Sequence, residues 1–327
     1  MRKKITRRAF CSMLLALPLS ARAQQAKKIP RLGLLSPFSP SDTELWHQAF
    51  RQGLRDLGWI EGKNISIEYR YADGKSDRLA DLAADLVRLQ VDIIVTAVTP
   101  DALAAKNATK TIPIVMAASG DPVASGLVES LAQPGGNITG LSQMNPDLAG
   151  KRLELLKEIV PKLSPVAVLW NPQDQMSALS WNELQPPARF LKIRLQSFEV
   201  RRSSDFDKAF EDTVRERVGA LVIMPAPVFI VNLKRIADFA IKSRLPSIMH
   251  VAEFVDSGGL VSYGADRSDM FRRAATYVDK ILKGRTPADL PVEQPMKFEF
   301  VLNLKTAKQI RVTIPQWTLM KADRVIR

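Results

Sequence analysis

The chain has 327 residues, 46% of them hydrophobic and 25% charged, and a formal net charge of +13. That length and apolar content suit a folded chain of more than one ordinary domain and exclude a disordered polymer. The positive charge forms no arginine-rich helix and no aromatic-interleaved basic patch, so no nucleic-acid partner is expected.

The first 23 residues read as an export signal. They hold six Lys and Arg and no acid. MRKKITRR is basic, Ala9 to Leu19 is a short apolar stretch, and Ala21-Arg22-Ala23 is an A-x-A cleavage site. Eleven apolar residues are too few to span a bilayer. Thr6-Arg7-Arg8-Ala9-Phe10 resembles the twin-arginine export motif, but Cys11 and Ser12 follow where Leu and Lys are favoured, so the export route stays open. A cleaved, periplasmic protein is the expectation. Cys11 is the single cysteine, so a cleaved chain has no disulfide, thiolate metal site or cysteine nucleophile. The two histidines, His47 and His250, are isolated. No metal and no cofactor are expected.

In chain order, short apolar runs alternate with helical stretches. RLGLLS (31–36) predicts a strand, and the stripe at 45, 46, 49, 50, 54 and 57 predicts a helix. ISIEYRYA (65–72) alternates like a half-buried strand, and SDRLADLAADLVRLQ follows as a capped helix. VDIIVTAV (91–98) and IPIVMAA (112–118) are buried strands around a helix at 101–110. Leu127, Val128 and Leu131 predict a short helix started by Asp121-Pro122. The pattern then restarts. Helices at 147–160, 177–191, 204–217 and 228–243 alternate with strands at 165–170, 193–200, 220–224 and 246–250. GGLVSYG (258–264) is a strand before a helix at 267–283, and the tail offers a strand at 296–304 and a short helix near 316–325. This is the signature of two doubly wound parallel-sheet lobes. PGGNITGLS and GGLVSYG are each a glycine-led strand before a helix, and both read as crossings between lobes.

Ligands of such sheets gather at the carboxyl ends of the strands. That rule picks out Ser36, Ser39, Thr96, Thr99, Ser119, Asp121, Asn171, Pro225 and Tyr263 as candidate ligand-binding residues. They offer hydroxyls, an amide, one carboxylate and one ring, without a nucleophile and base pair, so the site binds a small polar molecule and performs no catalysis. Each of the polar ones also suits a turn or helix cap. No G-x-x-x-x-G-K-[ST] loop and no G-x-G-x-x-G turn follows the first strand, and no G-x-S-x-G elbow appears.

The stretches GDPVASGLVESLAQPGGNITGLS (120–142), KRLELLKEIVP (151–161), EFVDSGGLVSYG (253–264), RRAATYVDKILKG (272–284), ADLPVEQP (288–295) and NLKTAK (303–308) resemble a family of periplasmic solute-binding proteins of ABC transporters, with tryptophan- and aromatic-amino-acid-binding members. The resemblance covers nearly all the chain beyond the export signal. It implies an α/β, type I periplasmic-binding-protein-like fold: two lobes joined by a three-stranded hinge, with the ligand between them. It implies a monomer that hands its ligand to an ABC permease. Ala226, between Pro225 and Pro227, stands where relatives often carry an acid. The lobes are expected at 30–142 with 267–290, and at 143–266 with 291–327. The ligand is expected to be a small amphipathic molecule, an amino acid or related carboxylate, with Asp121 facing an ammonium. A periplasmic sensor subunit of the same fold is the alternative, and an exported α/β hydrolase a remote one.

Overall fold

The computed structural model describes residues 29–163 and 165–327. The expected export signal, 1–23, lies outside the described residues. The first sheet is built from β1 (Arg31–Ser36), β2 (Ser66–Tyr71), β3 (Ile93–Thr96), β4 (Ile114–Ser119) and β5 (Ile138–Ser142), connected through α1 (Pro40–Asp56), α2 (Leu79–Arg88) and α3 (Thr99–Ala108). Its order is β2-β1-β3-β4-β5, and every pairing is parallel. Parallel strands need crossovers, and each helix supplies one. The start of α1 is fixed by its own residues: Ser39 accepts from Asp42 N, Asp42 accepts from Ser39 N at 3.1 Å, and Pro40 takes the first helical position.

The second half adds α4 (Ala149–Ile159), β6 (Val166–Trp170), α5 (Gln175–Phe190), β7 (Leu195–Glu199), α6 (Phe206–Arg215), β8 (Ala220–Ile223), α7 (Pro227–Ile230), α8 (Leu233–Lys242), β9 (Ser247–Met249), α9 (Ala252–Asp256), β10 (Val261–Ala265), α10 (Arg267–Leu282), β11 (Phe298–Asn303), α11 (Leu304–Gln309), α12 (Gln316–Met320) and β12 (Arg324–Ile326). Its sheet runs β12-β11-β10-β9-β8-β6-β7, with β11 antiparallel to β10 and the other pairings parallel.

Three sequence expectations need correction. The stretch after β4 is not a helix but a pair of turns, with Ser125 N donating to Asp121 O and Gly126 N to Val123 O. Gly126 has φ +68°, which a helix cannot continue through. The single helix expected over 228–243 is two, α7 and α8, separated at Val231 and Asn232. The helix expected near 316–325 stops at Met320, and Arg324–Ile326 instead pairs with β11 as β12.

Over the described residues, the chain passes between the lobes three times. It leaves the first sheet after β5, returns between β10 and α10, and leaves again between Pro291 and β11. These passages lie side by side. Ser142 N donates to Glu293 O at 2.9 Å, Glu293 N to Gly140 O at 3.0 Å, and Asp266 N to Lys297 O at 3.1 Å. Helix α10 therefore packs on the first lobe although it follows the second sheet in sequence. Its backbone comes so near α1 that a Cβ on Gly53 would sit 2.5 Å from Arg272 O. Both glycine-led strands carry the same requirement. A Cβ at Gly140 would lie 2.1 Å from Met116 O, and one at Gly264 would lie 2.0 Å from His250 O.

Candidate functional site: the cleft between the lobes

The carboxyl ends of both sheets face a narrow cleft with a cavity volume of about 30 Å³. The first lobe contributes Phe38, Val98, Thr99, Pro100 and Gly120. The first hinge passage contributes Gln143 and Asn145, and the second contributes Arg267. The other lobe supplies Asp174, Met176, Pro225, Ala226, Pro227, Ile230 and His250.

The lobes touch across this cleft. Met176, near the start of α5, accepts from Asp121 N at 3.0 Å through its sulfur. Gln175 Nε2 donates to Ala124 O at 3.0 Å. On another face, Trp46 Nε1 of α1 donates to Glu253 Oε1 of α9 at 2.6 Å. Trp46 also stacks on Phe271, with centroids 5.8 Å apart, and lies under the Arg267 guanidinium at 4.6 Å.

The charge chemistry sits at the hinge. Arg267 is 7% exposed, and its Nε and Nη1 have no hydrogen-bond partner. Its Nη2 lies 3.2 Å from His250 Nε2. Burial, with the Arg267 and Arg152 charges nearby, holds His250 well below the ordinary histidine range. The ring is therefore neutral at pH 7, and Nε2 accepts from the guanidinium. His250 Nδ1, the remaining donor, is buried and unpartnered. Burial lowers Arg267 to about 10, so it stays charged at neutral pH. Unpaired buried donors of this strength are costly and suit an anion. The acidic residue lining the cleft is Asp174, whose Oδ1 caps α5 by accepting from Ser177 N at 2.9 Å. Burial raises its carboxyl to about 6.

Behind the lining, Arg152 of α4 is 2% exposed and has three carbonyl partners. Its Nε donates to Tyr263 O at 2.8 Å, its Nη1 to Asn145 O at 3.2 Å, and its Nη2 to Asn145 Oδ1 at 3.0 Å. Asn145 Nδ2 then donates to Gln143 Oε1 at 3.2 Å, and Gln143 Nε2 donates to Ala118 O. One guanidinium thus ties the first hinge passage to β10 and orients two amides that line the cleft.

Of the residues expected from the sequence, Thr99 and Pro225 line this cleft. Ser119 is buried behind it, 3.1 Å from Thr99 Oγ1. Asn171 lines an outer vestibule and accepts from Gln173 N. Ser36 accepts from Phe38 N, and Ser39 caps α1. Thr96 is fully buried with its hydroxyl unpartnered, and it is not among the lining residues. Asp121 uses its carboxylate to accept from Val123 N and Ala124 N. The Tyr263 ring packs beside Phe298 and Phe300, at 6.2 and 6.3 Å, outside the cleft. The residues that sequence reasoning missed are Phe38, Gln143, Asn145, Asp174, Met176, His250 and Arg267. A signal existed for two groups of them. Gln143 to Asn145 directly follow β5 and Arg267 follows β10, the two glycine-led crossings.

Residues 38–326 match the family described as ABC transporter substrate binding protein. The chain belongs to this family. A tyrosine-binding protein of Clostridioides difficile (strain R20291) is 28% identical over 286 residues, which cover 87% of this chain and 82% of that protein. A conserved domain protein of Vibrio cholerae has a crystal structure similar at TM-score 0.86 and 30% identity, covering 91% of this chain and all of that one. The ABC domain of Streptococcus pneumonia, solved in complex with L-Trp, is similar at TM-score 0.83 and 27% identity, covering 90% of this chain and all of that one. The fold is the type I periplasmic-binding fold, also seen at 12% identity and TM-score 0.62 in a leucine-binding protein of Thermotoga maritima. The chain is a solute-binding protein of an ABC transporter, and its family implies a small-molecule ligand, a permease partner and an extracytoplasmic place of work. Among the described residues, no helix is long and apolar enough to cross a membrane.

Proposed function

We propose that the chain, once freed of residues 1–23, collects an α-amino acid with an aromatic or large apolar side chain in the periplasm and delivers it to its permease. The observation that carries this reading is the buried Arg267 guanidinium in the cleft wall, with two nitrogens unpartnered. A ligand carboxylate satisfies them, and His250 Nδ1 adds a further donor. Asp174 is the anionic group that meets the ammonium. A nearby cation favours the ionised carboxylate, offsetting the burial that raises its pKa. Phe38, Val98 and Ile230 supply an apolar surface for the side chain. The tyrosine-binding and L-Trp-bound relatives support the same ligand class. The ammonium role expected for Asp121 moves to Asp174, because Asp174 lines the cleft and Asp121 does not.

Calorimetry with L-tyrosine and L-tryptophan tests this reading. The parent chain binds at least one of them. Arg267→Gln loses a charged hydrogen bond worth about 1.5–3 kcal/mol, or roughly 10- to 150-fold in affinity, while circular dichroism stays unchanged. Equal affinity in parent and variant overturns the assignment.

A further inference from the structure

The interlobe space has two chambers that share a wall. The inner cleft contains Arg267, His250, Gln143 and Asn145. An outer vestibule of about 700 Å³, open to solvent, contains Gly74, Lys75, Asn171, Gln175, Arg202 and Val231. Thr99, Pro100, Asp174, Met176 and Pro227 line both. Among these five, Met176 is the side chain that reaches across to the opposite lobe. Its sulfur accepts from Asp121 N at 3.0 Å, and it lies so close over Gly120 that a Cβ there would sit 2.1 Å from Sδ and 2.6 Å from Cγ. Met176 is 6% exposed. Gly120 is thus the floor on which the methionine seats.

We propose that Met176, seated on Gly120, is the partition that sets ligand length in the closed protein: it confines the ligand to the inner cleft and excludes molecules extended at the amino end. This rests on the carboxylate reading above. Arg267 lines the inner chamber and not the vestibule, so a ligand anchored there by its carboxylate meets the shared wall with its amino end. A free amino acid ends at the wall, where Asp174 meets its ammonium. A dipeptide with the same carboxyl-terminal residue must pass through the place Met176 occupies. The specificity comes from an obstruction rather than from an added attraction. Methionine is suited to the role because its flexible thioether fills an irregular gap without demanding one rotamer.

The test uses L-tyrosine and glycyl-L-tyrosine as probes, with calorimetry on the parent, Met176→Leu, Met176→Ala, Gly120→Ala and the Met176→Ala/Gly120→Ala pair. The parent binds L-tyrosine at least tenfold more tightly than glycyl-L-tyrosine. Met176→Leu retains that gap, and Met176→Ala narrows it to within threefold. Gly120→Ala weakens L-tyrosine binding at least tenfold because the methionine no longer seats. The double variant recovers most of that loss, which isolates the coupling of the two positions. Thermal melts of each variant report folding separately, and Met176→Val reads the same gap if the alanine variant does not fold. An unchanged gap in Met176→Ala, or a double variant as weak as Gly120→Ala, overturns the partition while leaving the carboxylate reading in place. A parent that binds neither tyrosine nor tryptophan overturns both.

Discussion

The two walls of the cleft differ in how their polar groups are used. On the first-lobe side the strand-end groups, apart from the buried and unpartnered Thr96 hydroxyl, are closed on one another. Thr99 Oγ1 sits 3.1 Å from Ser119 Oγ and accepts from Gly120 N at 3.0 Å, and Asp101 accepts from both Ala97 N and Val98 N. Ser36 is bonded to Phe38 N in the same way. On the hinge wall Arg267 and His250 are buried with donors left over. The first wall therefore supplies shape, and its hydroxyls hold loops in place. The second wall supplies unmet hydrogen-bonding capacity, and a ligand can gain free energy there. Strand-end position does not distinguish the two; the hydrogen-bond accounting does.

The largest way to break this comparison is to remove the group that organises the hinge wall without touching the cleft. Arg152→Met strands Asn145 O, Asn145 Oδ1 and Tyr263 O, which now share one guanidinium. Each stranded buried acceptor costs about 1–3 kcal/mol, and part of this is offset because the buried charge and its desolvation disappear. A net destabilisation on the order of 3 kcal/mol is expected in urea unfolding, together with weaker ligand binding as Asn145 and Gln143 lose their orientation. An Arg152→Met variant as stable as the parent, binding as tightly, removes the hinge clamp from the account.

Much of the fold was legible in the sequence because it depends on local signals. The apolar runs at 31–36, 91–98 and 165–170 became β1, β3 and β6, and the alternation at 65–72 became β2. The failures came where a local pattern competed with tertiary demands. Leu127 and Val128 have helical spacing, but both are buried by the hydrophobic cluster around Leu79, Ile94 and Ile114, and Gly126 turns the chain to deliver them there. The site was less legible. Strand-end logic picked out Thr99 and Pro225, which line the cleft, but Arg267 lines it because of where the second hinge passage runs, and an arginine at a helix start reads as an ordinary surface residue. Met176 could not be read at all, since its partner Gly120 lies on the other lobe.

A smaller effect separates the two histidines. His47, in the first lobe, lies 3.1 Å from Tyr71 OH and 3.3 Å from Thr43 Oγ1. Burial, and then Arg51, lower it to about 4. Between that value and the unfolded value near 6.5 the unfolded chain binds the extra proton. The His47 contribution is therefore complete above about pH 6.5 and is lost as pH falls toward about 4, at up to about 1.4 kcal/mol per pH unit. Asp101 and Asp174, which burial raises to about 8 and about 6, tilt the absolute curve the other way. The clean reading is a difference. Relative to His47→Gln, the parent should lose stability in urea as pH is lowered from 6.5 to 4.5. A flat difference would mean that His47 titrates normally and the first lobe is less closed than its geometry indicates.

The smallest effect sharpens the comparison most directly, because it sets a first-wall hydroxyl against Arg267. Ser119 is fully buried, and its Oγ bonds to Thr99 Oγ1 without reaching the cleft lining. Ser119→Ala removes one neutral hydrogen bond, worth about 1 kcal/mol of stability. Thr99 Oγ1 keeps the Gly120 N donor, so no acceptor is stranded and the loop after β4 keeps its path. Stability should fall by about that amount in urea unfolding. Affinity for L-tyrosine should stay within roughly twofold of the parent, less than half the free energy of one such bond. The hydroxyl acts on the loop and not on the ligand. A loss of tenfold or more with little change in stability would reverse the assignment, making Ser119 a ligand contact and the first wall an active participant in recognition.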